Sequence, residues 1–173
     1  YQVDVLLAPA LNLKRDPRCG RNFEYYSEDP LLAGKMAAAF TRGVQSTGTA
    51  ACPKHFALNN CENYRYMSDS VVDERAAREL YLKAFEICVK ESRPRTMMCA
   101  YNKVNGSHCS QSKWLIRDVL RGEWGFDGMM MTDWGATLDR VAGVRVGMDL
   151  DMPGNVWDNR RSIVDAVRNG MLS

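Results

Sequence analysis

Apolar runs of about five residues recur along the chain, and each gives way to polar residues before a segment of helical spacing begins. The first run, VDVLLAPAL, predicts a strand over residues 3–7, followed by a polar loop over 12–29. Asp29 followed by Pro30 reads as an N-cap and a first-turn proline. A helix is therefore expected through LLAGKMAAAFTRGVQ, with Gly48 shortly beyond it. TAACPKHF is the second strand. After the loop NNCENYRYMSDS, residues 73–91 place Leu82, Phe85 and Val89 at helical spacing and should form the longest helix. A third strand over 96–101 leads into a turn at Asn105-Gly106, and Ser112 caps a helix through Trp114, Leu115, Val119 and Leu120. GMMMT, residues 128–132, is the most strand-like run and stops at Asp133-Trp134-Gly135. A fifth strand is predicted over 144–151, ending at Pro153-Gly154. The last helix, over 159–169, carries Ile163, Val164 and Val167 on one face and Gly170 as its C′ residue.

Alternating strands and helices with near-continuous apolar strands predict a parallel sheet covered by helices. A doubly wound nucleotide-binding fold should show a glycine-rich turn after its first strand, and LAPALNLKRDPRCGR contains neither GxGxxG nor GxxxxGK[ST]. A (β/α)8 barrel predicts instead that polar residues gather at the C-terminal end of strand after strand, as they do here. The expected fold class is α/β, an incomplete (β/α)8 TIM-type barrel of about five parallel strands with covering helices. A whole barrel takes about 250 residues, so this chain of 173 residues is expected to be a piece of a longer one.

Composition excludes several function classes. With 46% hydrophobic and 25% charged residues the chain is neither a disordered tail nor a fibrous rod. Its 23 Lys and Arg against 21 Asp and Glu are scattered, which argues against nucleic acid. No run approaches the roughly 18 apolar residues of a membrane helix, and YQVDVLLAPAL lacks the marks of a signal peptide. Six cysteines without CxxC or Cys/His spacing read as reduced, mostly buried thiols, which favours a cytoplasmic location.

Taken strand by strand, the candidate functional residues are Arg21, Lys54-His55, Tyr101-Asn102, Asp133-Trp134, and Asp149 with Asp151. An aspartate beside a tryptophan at the mouth of an apolar strand suits glycosidic bond cleavage: the carboxylate meets positive charge developing at the sugar carbon, and the indole offers a face to the ring. Arg21 and Lys54 would hold that carboxylate ionised and donate to sugar hydroxyls. Each residue also has a plainer reading. Asp133 could be a helix N-cap, the histidine a structural one, and the ten methionines core filler. Arg75, Arg78, Glu79 and Lys83 read as the solvated face of the long helix.

Five blocks then resemble the glycoside hydrolase family 3 β-glucosidases, in order and at that family's spacing. They are RDPRCGRNFEYYSEDP (15–30), CPKHFALNNCENYR (52–65), MMCAYNKVNG (97–106), LRGEWGFDGMMMTDWGA (120–136) and GMDLDMPG (147–154). The resemblance implies that Asp133 is the nucleophile of a retaining mechanism. It also implies a glycone pocket of Arg21, Lys54, His55, Arg65, Met98, Tyr101 and Trp134, with no metal or organic cofactor. Asp133-Trp134 is similar to the glucosidase form, since β-xylosidase members commonly carry cysteine at the position of Trp134. KHFALNN differs from the KHFPGHG motif of the N-acetylglucosaminidase branch.

By the same resemblance, residues 1–173 are one partial N-terminal barrel domain, with the preceding strands and a following α/β sandwich domain absent. The family's general acid/base, a glutamate of that following domain, has no counterpart here, and neither Glu62 nor Glu123 occupies its place. The expected ligand is a β-glucoside or short β-linked gluco-oligosaccharide. Three alternatives stay open: a non-catalytic carbohydrate-binding barrel fragment, a β-xylosidase or other exo-glycosidase of the same family, and an aldolase-like or phosphate-binding barrel using Lys54. The last leaves Asp133-Trp134 unexplained.

Overall fold

The computed structural model describes residues 2–154 and 160–172. Four short parallel strands form its centre: β1 (Val5–Leu6), β2 (Ala50–Ala51), β4 (Thr96–Met98) and β7 (Met129–Met131). β1 pairs with β2 and β4 with β7. The two pairs join through the chain that continues β2, where the Met98 N–H donates to Pro53 O (3.0 Å) and the Phe56 N–H to Met98 O (2.8 Å). Parallel bridges Ala10↔Lys54, Phe56↔Cys99 and Met131↔Leu150 extend the ladder toward the C-terminal strand ends. This is part of a (β/α)8-type barrel, as expected from the alternation of elements.

Helix α1 (Pro30–Gln45) begins as read from the sequence, with the Asp29 carboxylate accepting from the Leu32 N–H at 2.8 Å. The long helix is less regular than its periodicity suggests. α2 (Glu74–Ala76) passes through a π-helical turn at Ala77–Tyr81 into α3 (Lys83–Ser92). There the Leu82 N–H reaches back five residues to Ala77 O (2.8 Å). The extra residue in that turn brings Leu82 and Phe85 into full burial. A further π-type helix, Lys113–Glu123, starts at Ser112, whose hydroxyl accepts from the Leu115 N–H.

The fifth predicted strand does not form as read. Residues 144–146 of the segment are instead the last part of helix α4 (Arg140–Val146), and Gly147 is the turn that ends it. Asp139 caps it through the Ala142 N–H, and Gly147 at φ 101° closes it in the left-handed region. Of the strand only the bridge at Leu150 remains. The valines at 144 and 146 raised strand propensity, but a capping aspartate and a closing glycine eight residues apart define a helix. α5 (Arg160–Arg168) follows, and Gly170 takes φ 68° beyond it; the expected start at Asn159 lies outside the described residues. A small sheet was not anticipated: β3 (Asp69–Ser70), β5 (Lys103–Val104) and β6 (Ser107–His108) pair around the Asn105-Gly106 turn, at φ 49° and 86°.

Strand alternation divides the interior. Met97 and Met130 face the main core between sheet and helices, where Phe56 packs edge-on against Phe85 (5.2 Å) and Trp124 (5.8 Å). Cys52, Met98 and Met131 form a second cluster on the other face. All six cysteines are free thiols. No helix among the described residues is long and apolar enough to cross a membrane.

Candidate active site

The residues after β2, β4 and β7 meet the 12–29 loop at one end of the sheet, with Asp133 at the centre. Asp133 lies two residues past β7 and is 7% exposed. Oδ1 accepts from the Trp134 N–H at 2.8 Å, which fixes the carboxylate plane. Oδ2 is buried without a hydrogen-bond partner, 3.5 Å from His55 Nε2 and 3.9 Å from Arg21 Nη1. No helix starts at Asp133, so its plainer reading as an N-cap does not hold: the following helix is capped by Asp139, the one bond at Oδ1 is local to the turn, and Oδ2 is left aimed into the site.

His55 is brought there by the extended chain after β2 and held by Asn12. The Asn12 carboxamide donates to His55 O (2.9 Å) and accepts from the His55 N–H (2.8 Å). Burial, followed by the charges of Arg21, Lys54 and Arg65, pushes the imidazole well below its ordinary range, so it is neutral at pH 7. Tyr101 follows β4 and donates its hydroxyl to Trp134 O at 3.0 Å. Burial and then the Asp133 carboxylate raise its phenol above the ordinary value, keeping it protonated. The Arg65 guanidinium lies 4.4 Å from the Tyr101 ring centroid and pairs with Glu62 at 2.7 Å. Trp134 is 40% exposed, an indole partly open to an incoming ring. Met98 belongs to the cluster beneath the site rather than to its polar wall.

Sequence reasoning missed two participants. Glu24 joins the cations, with Oε1 2.5 Å from Arg21 Nε and Oε2 3.2 Å from Lys54 Nζ. Asn12 sets the His55 backbone. Glu24 stands in the same GRNFE block as Arg21, and Asn12 opens the loop after the first strand, but only spatial proximity reveals their partners. Two of the sequence candidates have other duties. Asp149 accepts from Arg121 and the Met130 N–H, both at 2.7 Å, and Asp151 pairs with Arg140 (3.2 Å) and accepts from Thr137 (2.7 Å). They tie the Leu150 bridge to its surroundings. Glu123 is occupied by Arg78 on the outer helices. Among the described residues no group of three His, Cys, Asp or Glu is arranged to hold a metal ion.

Comparison with known proteins places this arrangement in a family. Residues 1–169 match the family described as "Glycosyl hydrolase family 3 N terminal domain". The chain is 52% identical over 171 residues to thermostable β-glucosidase B of Acetivibrio thermocellus, covering 99% of this chain and 23% of that protein. It is 50% identical over 172 residues to an exo-α-(1→6)-L-arabinopyranosidase of Bifidobacterium longum, covering 99% of this chain and 22% of that one. β-Glucosidase 3B from Thermotoga neapolitana, solved in complex with glucose, superposes with a TM-score of 0.96 at 53% identity, over 99% of this chain and 25% of its own. The chain thus spans about a quarter or less of the length of these relatives. With the family matched from the first strand to the last helix, this chain belongs to glycosyl hydrolase family 3 and forms part of its N-terminal domain.

Proposed function

We propose that the chain supplies the nucleophile and glycone contacts of a retaining exo-β-glucosidase. The observation that carries this reading is the Asp133 carboxylate, with Oδ1 anchored by the Trp134 N–H and Oδ2 buried and unpartnered beside His55 and Arg21. A buried carboxylate oxygen left without a donor is costly unless the site uses it. In the reaction Oδ2 attacks the anomeric carbon, the bond from that carbon to the aglycone oxygen breaks, and a glycosyl ester forms that water later hydrolyses. Neutral His55, Arg21, Lys54 and Arg65 offer donors for sugar hydroxyls, and Trp134 a stacking face.

The proton for the leaving oxygen needs a second carboxyl group, about 5 to 5.5 Å from the first. Glu24, Glu62 and Glu123 are each engaged by cations. The acid/base is therefore proposed to come from another part of the full-length protein, together with the strands that would complete the barrel. A non-catalytic sugar-binding barrel has no need of a nucleophile and would use that oxygen only to accept from a sugar hydroxyl.

The test is the intact mass of the full-length protein after incubation with a 2-deoxy-2-fluoro-β-glucoside carrying an activated leaving group. A one-sugar increase mapping to the peptide that holds Asp133, and absent in Asp133→Asn, is expected. A full-length protein that stays unlabelled while binding glucose would sink the nucleophile assignment and favour the binding module. Because one close relative is named for arabinopyranosides, aryl α-L-arabinopyranoside and aryl β-xyloside are run beside aryl β-glucoside. The ratio of their kcat/KM values decides the glycone.

A further inference from the structure

Two cations face the pocket, yet neither closes on the nucleophile. Arg21 and Lys54 each have most of their side chain buried, and both turn to Glu24: Nε of Arg21 at 2.5 Å from Oε1, Nζ of Lys54 at 3.2 Å from Oε2. The same guanidinium stands 3.9 Å from Asp133 Oδ2, beyond hydrogen-bond distance. The nucleophilic oxygen accepts no hydrogen bond, although the Arg21 guanidinium lies 3.9 Å away.

From this geometry we infer that Glu24 is a positioning residue: its carboxylate engages Arg21 and Lys54 and so keeps Arg21, the cation nearest Oδ2, from closing on Asp133. The inference rests on the reading of Asp133 as nucleophile. An oxygen locked in a direct ion pair is less basic and less free to form the new bond. A second anion between the cations avoids that while leaving their other N–H groups for sugar hydroxyls. Arg21 and Lys54 thereby serve substrate without quenching the nucleophile, and Glu24 acts only through them.

The groups that bear on Asp133 come from every surrounding segment: Arg21 from the 12–29 loop, His55 after β2, Cys52 within the same stretch, and Tyr101 and Cys99 after β4. His55 is neutral, and burial holds Cys52, Cys99 and Tyr101 protonated. Arg21 and Lys54 are therefore the cations whose pairing Glu24 controls.

The experiment measures the rate of covalent labelling by the activated 2-deoxy-2-fluoro-β-glucoside against pH, in full-length wild type, Glu24→Gln and Glu24→Asp. The leaving group departs as an anion, so the acidic limb reports the nucleophile without a general acid. In Glu24→Gln the released Arg21 closes on Asp133. The acidic limb is expected about one pH unit lower, with the plateau rate reduced by roughly ten- to a hundred-fold. Glu24→Asp keeps the charge and is expected to retain a wild-type limb. A purely structural role would lower labelling and thermal stability together without moving the limb. A wild-type limb in folded, labelled Glu24→Gln would overturn the inference. Where only the Asp variant folds, a wild-type limb in it supports the charge role and a limb displaced by a full unit overturns it. Failure of wild type itself to label at Asp133 would instead remove the nucleophile reading on which this one stands.

Discussion

The Asn12 carboxamide grips the backbone of His55 from both sides, donating to its carbonyl at 2.9 Å and accepting from its N–H at 2.8 Å, across 43 residues of sequence. Both residues are nearly inaccessible to solvent. A side chain here does the work of a β-ladder at the point where the chain after β2 leaves its neighbour, and it sets the imidazole beside Asp133. Replacing Asn12 by Leu leaves a buried N–H and a buried C=O without partners, which costs about 2–5 kcal/mol. Urea denaturation of the full-length protein is expected to show that loss. A spectrum of the folded variant should show the His55 ring resonances displaced.

The neutral state of His55 makes stability depend on pH. In the unfolded chain the imidazole protonates near 6.5, whereas in the folded protein burial and three cations hold its pKa well below that. Below 6.5 the unfolded state binds the proton and the folded state does not. The stabilising difference is therefore complete above 6.5 and is lost as pH falls, at about 1.4 kcal/mol per unit until the folded pKa is reached. His55→Gln should flatten the denaturation midpoint between pH 6.5 and 5 relative to wild type. An unchanged slope would show the imidazole protonated in the folded state.

Tyr101 links the third strand end to the fourth. Its hydroxyl donates to Trp134 O at 3.0 Å. Tyr101→Phe keeps the ring beneath Arg65 but removes that bond, which is worth about 1 kcal/mol. If Trp134 flanks the sugar, KM for an aryl glucoside should rise by about five- to tenfold with a smaller change in kcat. A fall in kcat alone would mean that the hydroxyl acts on the nucleophile instead.

Helix packing supplies a test remote from the chemistry. A Cβ added at Gly34 of α1 would sit 2.8 Å from Ile87 Cβ and 3.1 Å from Ala84 Cα of α3. The α3 backbone cannot yield without moving the helix. Gly34→Ala is expected to destabilise by about 1–3 kcal/mol, read as a lower melting temperature with the labelling of Asp133 retained at low temperature.

Thiol reactivity should divide the cysteines. Cys61 is exposed and Cys19 partly so, whereas Cys52, Cys88, Cys99 and Cys109 are buried. Burial pushes Cys52 and Cys109 up to about 12, which leaves little thiolate at neutral pH. In the folded protein a thiol reagent at pH 8 should modify Cys61 and Cys19 at once and the other four only on unfolding, as peptide mapping would show.

Local signals in the sequence determined the elements whose ends are chemically marked. Asp29-Pro30, Ser112 and Gly170 gave helix boundaries because capping is satisfied within a few residues, and the apolar runs before Lys54, Tyr101 and Asp133 gave the strands. The segment at 144–151 misled because valines favour strands, while the Asp139 cap and Gly147 that make residues 144–146 helical act only when the intervening turn is closed. The order of blocks identified the family and marked Asp133, Arg21, Lys54 and His55 as candidate site residues. Which atoms meet was decided by the tertiary structure alone. Glu24 between two cations, Asn12 on His55 and the unpartnered Oδ2 of Asp133 depend on strands that are neighbours in the sheet but tens of residues apart in the chain. A hydrogen bond or ion pair is set by distances of a few ångströms, and no spacing along the sequence encodes them.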